Sequence, residues 1–196
     1  MNRADVLELA EVKRMAQAAL SAGQTRDALL IGLGTALGLR ITDLLRLHWR
    51  DLLDERGQLR EWVDVFERKN KSRRVVRTPK WLGPIIEAHF RTIGGLPDLE
   101  SRIFAISRQR AWVILRKWAE AAGVRKRISP HSLRKCFCTT VYSLTRDPVL
   151  ACTFTGHKNP AQLLRYIGYA SPTVERIWAE YASMDWAYSV ESTGGG

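Results

Sequence analysis

The sequence predicts a mainly helical domain that contains a small three-stranded antiparallel β-sheet. Apolar residues recur at helical spacing over most of the chain. Five capping residues each stand directly before a proline, an arrangement typical of a helix start. Residues 49–78 differ, because short alternating segments are separated there by polar turns. At 196 residues the chain is long enough for one domain with a substantial core.

Two helices are predicted at the beginning of the chain. Residues 5–20 carry apolar side chains at helical spacing and form an amphipathic pattern that ends near Gly23. A strongly apolar helix follows from about residue 24 and ends at Gly38, which suits a left-handed C-cap. We expect this second helix at the centre of the core, and Thr42 as the cap of the short helix after Arg40.

Three short strands are predicted at residues 49–53, 60–66 and 73–78. The turns between them fall at residues 54–57 and 69–72, which are polar and include Gly57. The second strand alternates larger side chains with Val63 and Val65. Such alternation predicts an antiparallel sheet with one buried face.

The remainder of the chain is predicted to be helical. Ser107 is expected to cap a helix that reaches Ala122, and the other expected helices span residues 79–92, 130–144, 148–155, 160–166 and 172–188. Residues 1–190 are predicted to form a single domain. Residues 191–196 contain three glycines and are expected to be a flexible tail.

The positive charge of the chain is concentrated in two segments. The net charge is +11 and the sequence pI about 10.1. Residues 68–80 contain seven basic side chains and no acidic one, and residues 102–127 contain eight against one acid. Arginine, which predominates, has a planar fork that suits phosphate, so we expect double-stranded DNA as the partner. The candidate DNA contacts are Arg68, Lys71, Arg73, Arg74, Arg108 and Arg110.

The cysteines and the start of the chain favour a cytoplasmic protein. Cys136, Cys138 and Cys152 cannot all pair with one another, and the first residues do not form a secretory signal. The Cys-x-Cys spacing within a helix is not that of a zinc site, so core thiols are the preferred interpretation. No apolar run approaches the ~20 residues needed to span a bilayer.

A possible reaction site lies between residues 129 and 169. His131 and Arg134 share one face of the predicted 130–144 helix, because they are three residues apart. His157 follows in a Gly-His turn, and Tyr166 comes nine residues later. Arginines hold phosphate oxygens, and a tyrosine can act as a nucleophile. The pattern suggests phosphoryl transfer to a phenol oxygen.

Arg40 and Lys69 complete this constellation. Arg40 stands between two predicted helices, and Lys69 lies at a hairpin tip from which it could protonate a departing alkoxide. Tyrosine has an ordinary pKa of ~10, so it needs a base or cationic neighbours to attack. No acidic cluster accompanies these residues, so we expect neither a metal nor another cofactor.

Taken together, these residues resemble the active site of the tyrosine recombinases, the phage integrase and Xer-type family. Arg40, in the stretch LGLRITDLLRL, resembles the first arginine motif, and Asp43 stands where the family has an acidic residue that supports this arginine. Lys69 matches the lysine of the β-hairpin. His131-Ser-Leu-Arg134 matches the His-x-x-Arg motif.

The remaining two motifs of that family also have counterparts. Thr155-Gly156-His157 resembles the Leu-Gly-His motif, with threonine in place of leucine. Tyr166 matches the nucleophile in its spacing from that histidine. The resemblance covers about residues 6–180 and all six active-site positions. It implies the fold of the recombinase catalytic domain, from a prokaryotic or phage source.

The resemblance also implies a role for each residue. Tyr166 attacks the scissile phosphate and forms a 3′-phosphotyrosyl link, while the two arginines bind the phosphate oxygens. His131 is the general base and acid, Lys69 protonates the leaving oxygen, and His157 donates a hydrogen bond to the phosphate. A 5′-hydroxyl from another strand then attacks the link, without metal or ATP.

Some alternatives remain open at this point. Lys71 competes with Lys69, and Tyr169 with Tyr166 at poorer spacing. A type IB topoisomerase shares the chemistry, and a DNA-binding regulator could share the fold without catalysis. The N-terminal DNA-clamping domain usual in the family has no counterpart here, which fits either an excised catalytic domain or a naturally short recombinase.

The end of the chain is relevant to assembly. Residues 171–190 carry an apolar stripe that either docks on a neighbouring subunit or folds back on its own core. The resemblance implies a homotetramer on DNA and a monomer without it, with no membrane partner.

Overall fold

A computed structural model describes residues 5–169 and 179–180 of the chain. Within these residues the fold is mainly helical, with one two-stranded antiparallel sheet and one short 3₁₀ helix at Lys80–Leu82. The elements are α1 (Leu9–Ser21), α2 (Thr25–Leu37), α3 (Ile41–Leu44), α4 (Trp49–Leu52), β1 (Trp62–Glu67), β2 (Ser72–Arg77), α5 (Gly83–Ile93), α6 (Arg108–Ala121), α7 (Pro130–Thr145), α8 (Pro148–Thr155) and α9 (Pro160–Ile167).

Helix α2 lies at the centre of the domain, as the sequence predicts. Every residue of α2 except Arg26 is buried, and the helix packs against α1, α5 and α7. The acidic Asp27 is tolerated there because the indole N–H of Trp118, on α6, donates a hydrogen bond to its carboxylate at 2.9 Å. The helix ends at Gly38, which has a φ of 57°.

The expectation of a three-stranded sheet is wrong in one strand. Residues 49–52 form helix α4. At its start the backbone N–H of His48 donates a hydrogen bond to the carboxylate of Asp51 at 2.8 Å. The apolar residues Trp49, Leu52 and Leu53 are buried. Their spacing of three and four is that of a helix face. Leu53 makes only an isolated bridge to Leu59.

The other two strands form a hairpin. Trp62 pairs with Arg77 at one end and Glu67 with Ser72 at the other. Val63, Val65 and Glu67 face inward, so the buried side of β1 ends in a carboxylate. Residues 68–71 make the turn, and Lys71 there has a positive φ of 49°.

Most of the predicted helix starts are present. Side chains of Ser107, Ser129, Asp147 and Asn159 accept backbone N–H groups at the starts of α6, α7, α8 and α9. The cap predicted at Thr78 is absent, because its hydroxyl donates instead to the carbonyl of Arg60. Arg40, not Thr42, is the N-cap of α3. The expected helix 172–188 and tail 191–196 lie largely outside the described residues.

The buried apolar side chains form two separate clusters. The larger one contains residues from each of the helices α1 to α6 and from the inner side of α7. The smaller one consists of Cys138, Ala151, Leu163 and Ile167, and joins α7 to α8 and α9. No helix of the described residues is both long and apolar enough to cross a membrane.

Candidate active site

Helix α7 brings His131 and Arg134 to one place, as predicted. The Ser129 hydroxyl and Pro130 fix the first turn of the helix. His131 lies in this turn and lines a cavity that is described below. Arg134 lies one turn further on and only 2 % of it is exposed. Its guanidinium reaches the end of α2, where it donates to the carbonyl of Gly38 at 2.7 Å.

The centre of the site is a residue that the sequence reasoning missed, Glu67. Its carboxylate is fully buried and is ion-paired with Arg40, Arg74 and Arg134. The Arg134 contacts measure 2.8 Å to Oε1 and 3.3 Å to Oε2. Burial alone would raise the pKa of Glu67, but hydrogen bonds and charge from Arg134 and Arg74 outweigh it and lower the pKa. The carboxylate is therefore ionised at neutral pH.

Arg134 is held from several directions. One terminal nitrogen donates to Gly38 and Glu67, and the other to Glu67 and to the carbonyl of Thr155 at 3.0 Å. An arginine has five N–H groups. These contacts engage the four terminal ones and fix the plane of the guanidinium.

Arg74 belongs to this interior network. Only 9 % of the residue is exposed, and its donors reach Glu67 and the carbonyls of Phe154 and Leu37. The structure therefore separates Arg74 from the other expected DNA contacts, because those are exposed whereas Arg74 is buried. It links β2 to α2 and α8 instead.

Asp43, the expected support of Arg40, is buried beside the site. Within the described residues the ion-pair partner of Arg40 is Glu67, and one carboxylate oxygen of Asp43 has no hydrogen-bond partner. Burial raises the pKa of Asp43, and the charge of Arg40 opposes this. In the described residues, Asp43 is thus near Arg40 without forming an ion pair with it.

Lys69 lines two neighbouring cavities, which together are called the cleft. A cavity of about 470 Å³ is lined by Arg40, Lys69, Arg108, Trp112 and His131, among others. A second cavity, of about 360 Å³, is lined by Arg40, Lys69, His157 and Gln162, among others. Arg40 and Lys69 border both cavities.

The Gly-His turn at the end of α8 carries His157 into the smaller cavity. Gly156 has a φ of 69°, and a Cβ placed there would lie 3.0 Å from a Glu67 carboxylate oxygen. The turn is also tied to the hairpin, because the Asn70 amide donates to the Gly156 carbonyl at 2.9 Å. His157 Nδ1 lies 2.9 Å from the hydroxyl of Thr155. This threonine occupies the position at which the sequence departs from the family motif.

Tyr166, on α9, is brought next to both histidines. Its ring centroid is 5.2 Å from that of His157, and its hydroxyl lies 3.5 Å from the backbone oxygen of His131. Burial raises the pKa of Tyr166 well above its ordinary value, although Arg134 and Arg40 act in the opposite direction. The phenol is therefore protonated at neutral pH and needs a base to attack.

The two histidines of the cleft are neutral at pH 7. Burial and the charge of Arg134 lower the pKa of His157 to about 4. Desolvation and the cations around it also lower the pKa of His131. A neutral imidazole can accept a proton, which is the property that a general base requires.

The remaining expected DNA contacts are exposed. They are Arg68, Lys71, Arg73, Arg108 and Arg110. Arg108 borders the larger cavity, whereas Arg73 is ion-paired with Asp64 at 2.7 Å. Lys71 lies in the hairpin turn, and neither cavity described above includes it in its lining.

Two of the three cysteines are buried and Cys152 is half-buried. Cys136 and Cys138 are buried, and burial raises the pKa of their thiols to about 11 and about 12. In the part of the chain that the structure describes, no group of three or more His, Cys, Asp or Glu side chains is arranged to hold a metal ion.

Comparison with proteins of known structure supports the same fold. The chain superposes on a XerA recombinase with a TM-score of 0.66 and 20% identity, covering 93% of this chain and 64% of that one. It also superposes on λ integrase residues 75–356, in a dimer bound to a COC′ core site, with a TM-score of 0.62 and 19% identity. That match covers 89% of this chain and 64% of the other.

Sequence comparison identifies relatives of the chain. Tyrosine recombinase XerA of Thermococcus kodakarensis is 28% identical over 155 residues, which are 76% of this chain and 52% of the relative. The probable integrase/recombinase YoeC of Bacillus subtilis is 28% identical over 162 residues, 81% of this chain and 86% of the relative. The chain thus spans about half the length of XerA. The model of the phage integrase family matches residues 5–171, and the chain therefore belongs to that family.

Proposed function

We propose that this chain is the catalytic part of a site-specific DNA recombinase that breaks and rejoins strands through a 3′-phosphotyrosyl intermediate. The supporting observation is that Tyr166 lies beside His157 and the backbone of His131, while Arg40 and Arg134 meet at Glu67 next to them. A phenol, two neutral imidazoles and two guanidiniums are the groups that transfer of a phosphodiester to tyrosine needs.

The proposed reaction begins with attack on the scissile phosphorus. The Tyr166 oxygen forms the new P–O bond while the bond to the 5′-oxygen of the next nucleotide breaks. Arg40 and Arg134 stabilise the charge on the non-bridging oxygens, the part of phosphoryl transfer in which fixed cations contribute most. His157 donates a hydrogen bond to the same phosphate.

Two protons must move during this step. The phenol proton passes to His131, whose lowered pKa leaves it free to accept one. The departing 5′-oxygen takes a proton from Lys69, which faces both cavities of the cleft. In the second step a 5′-hydroxyl from another strand attacks the phosphotyrosine, and both transfers run in reverse. The ester conserves the energy of the bond, so the scheme uses neither ATP nor metal.

The proposed substrate is double-stranded DNA, bound along the basic segments 68–80 and 102–127. λ integrase, which has the same fold, forms a dimer on its COC′ core site. We propose a monomer without DNA and a homotetramer when two sites are brought together, with residues 171–190 making the contact between subunits.

The test is covalent trapping on DNA of unspecified sequence. The chain is incubated in excess EDTA with a pool of duplexes randomised around a central nick, so that cleavage releases a short strand and cannot reverse. Adducts that survive SDS are isolated and their DNA is sequenced. We expect a recurring cleavage sequence with the protein on the 3′ phosphate.

Two tyrosine variants make the result specific. Tyr166→Phe keeps the packing of the ring and removes the attacking oxygen, so it should form no adduct while still binding the selected duplex. Tyr169→Phe, whose ring packs on Tyr142 at 5.3 Å, should react like the wild type. Binding without an adduct from the wild type would indicate a regulator. Relaxation of supercoils without exchange would indicate a topoisomerase.

A further inference from the structure

Glu67 lies where three arginines meet, on the protein side of the cleft. One of its carboxylate oxygens accepts from Arg74 and Arg134, and the other accepts from Arg40 and Arg134. Glu67 is the last residue of β1 and its side chain is fully buried. The carboxylate therefore cannot leave this position unless the hairpin itself opens.

We propose that Glu67 is a positioning residue, a permanent internal counter-ion that fixes which edge of Arg40 and of Arg134 faces the DNA phosphate. This inference rests on the proposed function of the cleft. Arg134 cannot rotate in its plane, because its terminal N–H groups bind Glu67 and two backbone carbonyls. Arg40 is bound to Glu67 through one terminal nitrogen and also borders both cavities.

The charges around Glu67 explain why a carboxylate is needed there. Three guanidiniums around one small volume repel one another unless an anion lies between them. Arg40 is the most exposed of the three, with 22 % of its side chain accessible, whereas Arg134 has 2 % and Arg74 has 7 %. Arg40 is therefore the arginine that should turn towards solvent if the anion is removed. Its alignment with Arg134 would then be lost before any DNA arrives.

A rival interpretation is that Glu67 imitates the scissile phosphate and is displaced when DNA binds. The two interpretations predict opposite effects of Glu67→Gln. The amide has nearly the same shape, but it lacks the charge and presents an NH₂ group to guanidiniums that can only donate. If Glu67 competes with DNA, the variant should cleave at least as fast as the wild type. If Glu67 positions the arginines, the variant should cleave more slowly.

The first measurement separates DNA binding from the reaction step. Single-turnover adduct formation is followed at saturating concentrations of the selected nicked duplex, and binding is measured for Glu67→Gln combined with Tyr166→Phe. We expect cleavage at least ~10-fold slower, while the dissociation constant stays equal or falls because the site gains one positive charge. Cleavage at the wild-type rate would overturn the proposal, and so would a parallel loss of binding and rate.

A matched control comes from the same hairpin. Glu61 pairs with Arg77 at 2.7 Å, but both side chains are more than 60 % exposed. Glu61→Gln therefore removes a carboxylate from an arginine of the hairpin without touching the cleft. We expect it to cleave at the wild-type rate, and an equal loss in both variants would count against a specific role of Glu67.

A second measurement needs no DNA. The arginine Nε–H groups of the free protein are recorded by ¹⁵N–¹H NMR, with the Arg134 signal assigned through Arg134→Lys. A fixed Arg134 should give a sharp signal that exchanges slowly with water, and Glu67→Gln should broaden it. An unchanged signal in the variant would overturn the proposal. If the wild type forms no adduct, the proposed function fails, and this spectrum still decides the positioning role.

Glu67→Asp covers the case in which the amide variant does not fold. Aspartate keeps the charge but is shorter by one methylene, so it cannot reach all three guanidiniums at once. We expect it to fold, to bind DNA like the wild type and to cleave at least ~10-fold more slowly. Full activity of this variant would contradict the proposal.

Discussion

At the scale of single residues, the cleft keeps its reactive groups in the protonation states that the proposed reaction starts from. Tyr166 is protonated because its surroundings raise its pKa, whereas His157 is neutral because burial and Arg134 lower its pKa to about 4. Both pKa shifts favour the uncharged form of the side chain. The proton of the phenol must therefore move as the P–O bond forms.

Lys69 is expected to be the general acid for the leaving 5′-oxygen. Lys69→Ala should slow adduct formation strongly, since general acids typically contribute ~10²–10⁴-fold. A substrate with sulfur in place of the 5′-bridging oxygen should recover much of this rate, because a thiolate leaves without a proton. Rates on both substrates, measured for Lys69→Ala and Lys71→Ala, check this. Rescue of Lys71→Ala alone would move the assignment to Lys71.

His157 should make the fold sensitive to acid. Its pKa is near 4 in the folded protein and near 6.5 when unfolded, so the unfolded state binds more protons between these values. Stability should therefore fall as the pH is lowered through this window, on the order of 1–2 kcal/mol at pH 5. Urea unfolding at pH 7.5 and 5.0 should show a smaller loss for His157→Gln than for the wild type. An equal loss in both proteins would disprove the neutral buried state.

At the scale of elements, the site depends on the ends of helices and on one hairpin. Gly38 ends α2 and presents its carbonyl to Arg134, while Gly156 ends α8 and lies against Glu67. The hairpin contributes Glu67 from its inner face and Lys69 from its turn. Small backbone changes at these ends should therefore reach the arginines directly.

Gly38→Ala is expected to destabilise the protein more than a comparable glycine change. Both Gly38 and Gly94 end helices with positive φ, 57° and 85°, so alanine costs roughly 1–2 kcal/mol of backbone strain at either. Of the two, only at Gly38 would the new Cβ overlap a neighbour, the ring of Phe137. That overlap should add about 1–3 kcal/mol. Chemical denaturation of both variants checks the difference, which a similar loss in each would refute.

The elements also indicate how far sequence reasoning can reach. The caps at Ser107, Ser129, Asp147 and Asn159 act through neighbouring residues, so local patterns predicted these helix starts correctly. The pattern of residues 49–53 predicts a strand where the structure has helix α4, because four residues show too little periodicity to distinguish the two.

The candidate site was only partly readable for a related reason. Lys69, His131, Arg134, His157 and Tyr166 belong to motifs that can be recognised along the chain. Of these, Lys69, His131 and His157 line the cavities, and Tyr166 lies beside both histidines. Glu67 has no such motif, and only the approach of the hairpin to α7 reveals its partners. The one available signal was its inward position in the alternation of β1. The sequence predicts Arg74 as a DNA contact, because a run of basic residues does not reveal which one is buried.

At the scale of the whole molecule, positive charge follows the proposed DNA face. Lys69 of the hairpin turn and Arg108 at the start of α6 both line the larger cavity, and Arg68, Arg73 and Arg110 are exposed. Their surface positions suit phosphate contacts that fix orientation without reading sequence.

DNA binding by this chain should be weak and strongly dependent on salt. About six phosphate contacts would give a log–log slope near −5, since each releases close to one counterion. Binding of the Tyr166→Phe variant to the selected duplex, titrated from low to high salt, measures this slope. Arg110→Gln should reduce it by about one. A slope near zero would exclude the two basic segments as the DNA face.

The division of the core into two clusters implies that Tyr166 is carried by the less firmly anchored part of the fold. In the described residues, the buried apolar cluster between α7, α8 and α9 has four members, whereas α2 is surrounded by the large one. Hydrogen bonds from Arg74 and Arg134 also hold the end of α8, so α9 is the less anchored of the two helices. Local opening costs least where few apolar contacts must be broken. Amide hydrogens of α9 should therefore exchange with deuterium well before those of α2, and at a free energy below that of global unfolding. Equal protection of both helices would contradict this. If α9 does open first, Tyr166 can move away from the rest of the domain while Glu67 and its arginines stay folded.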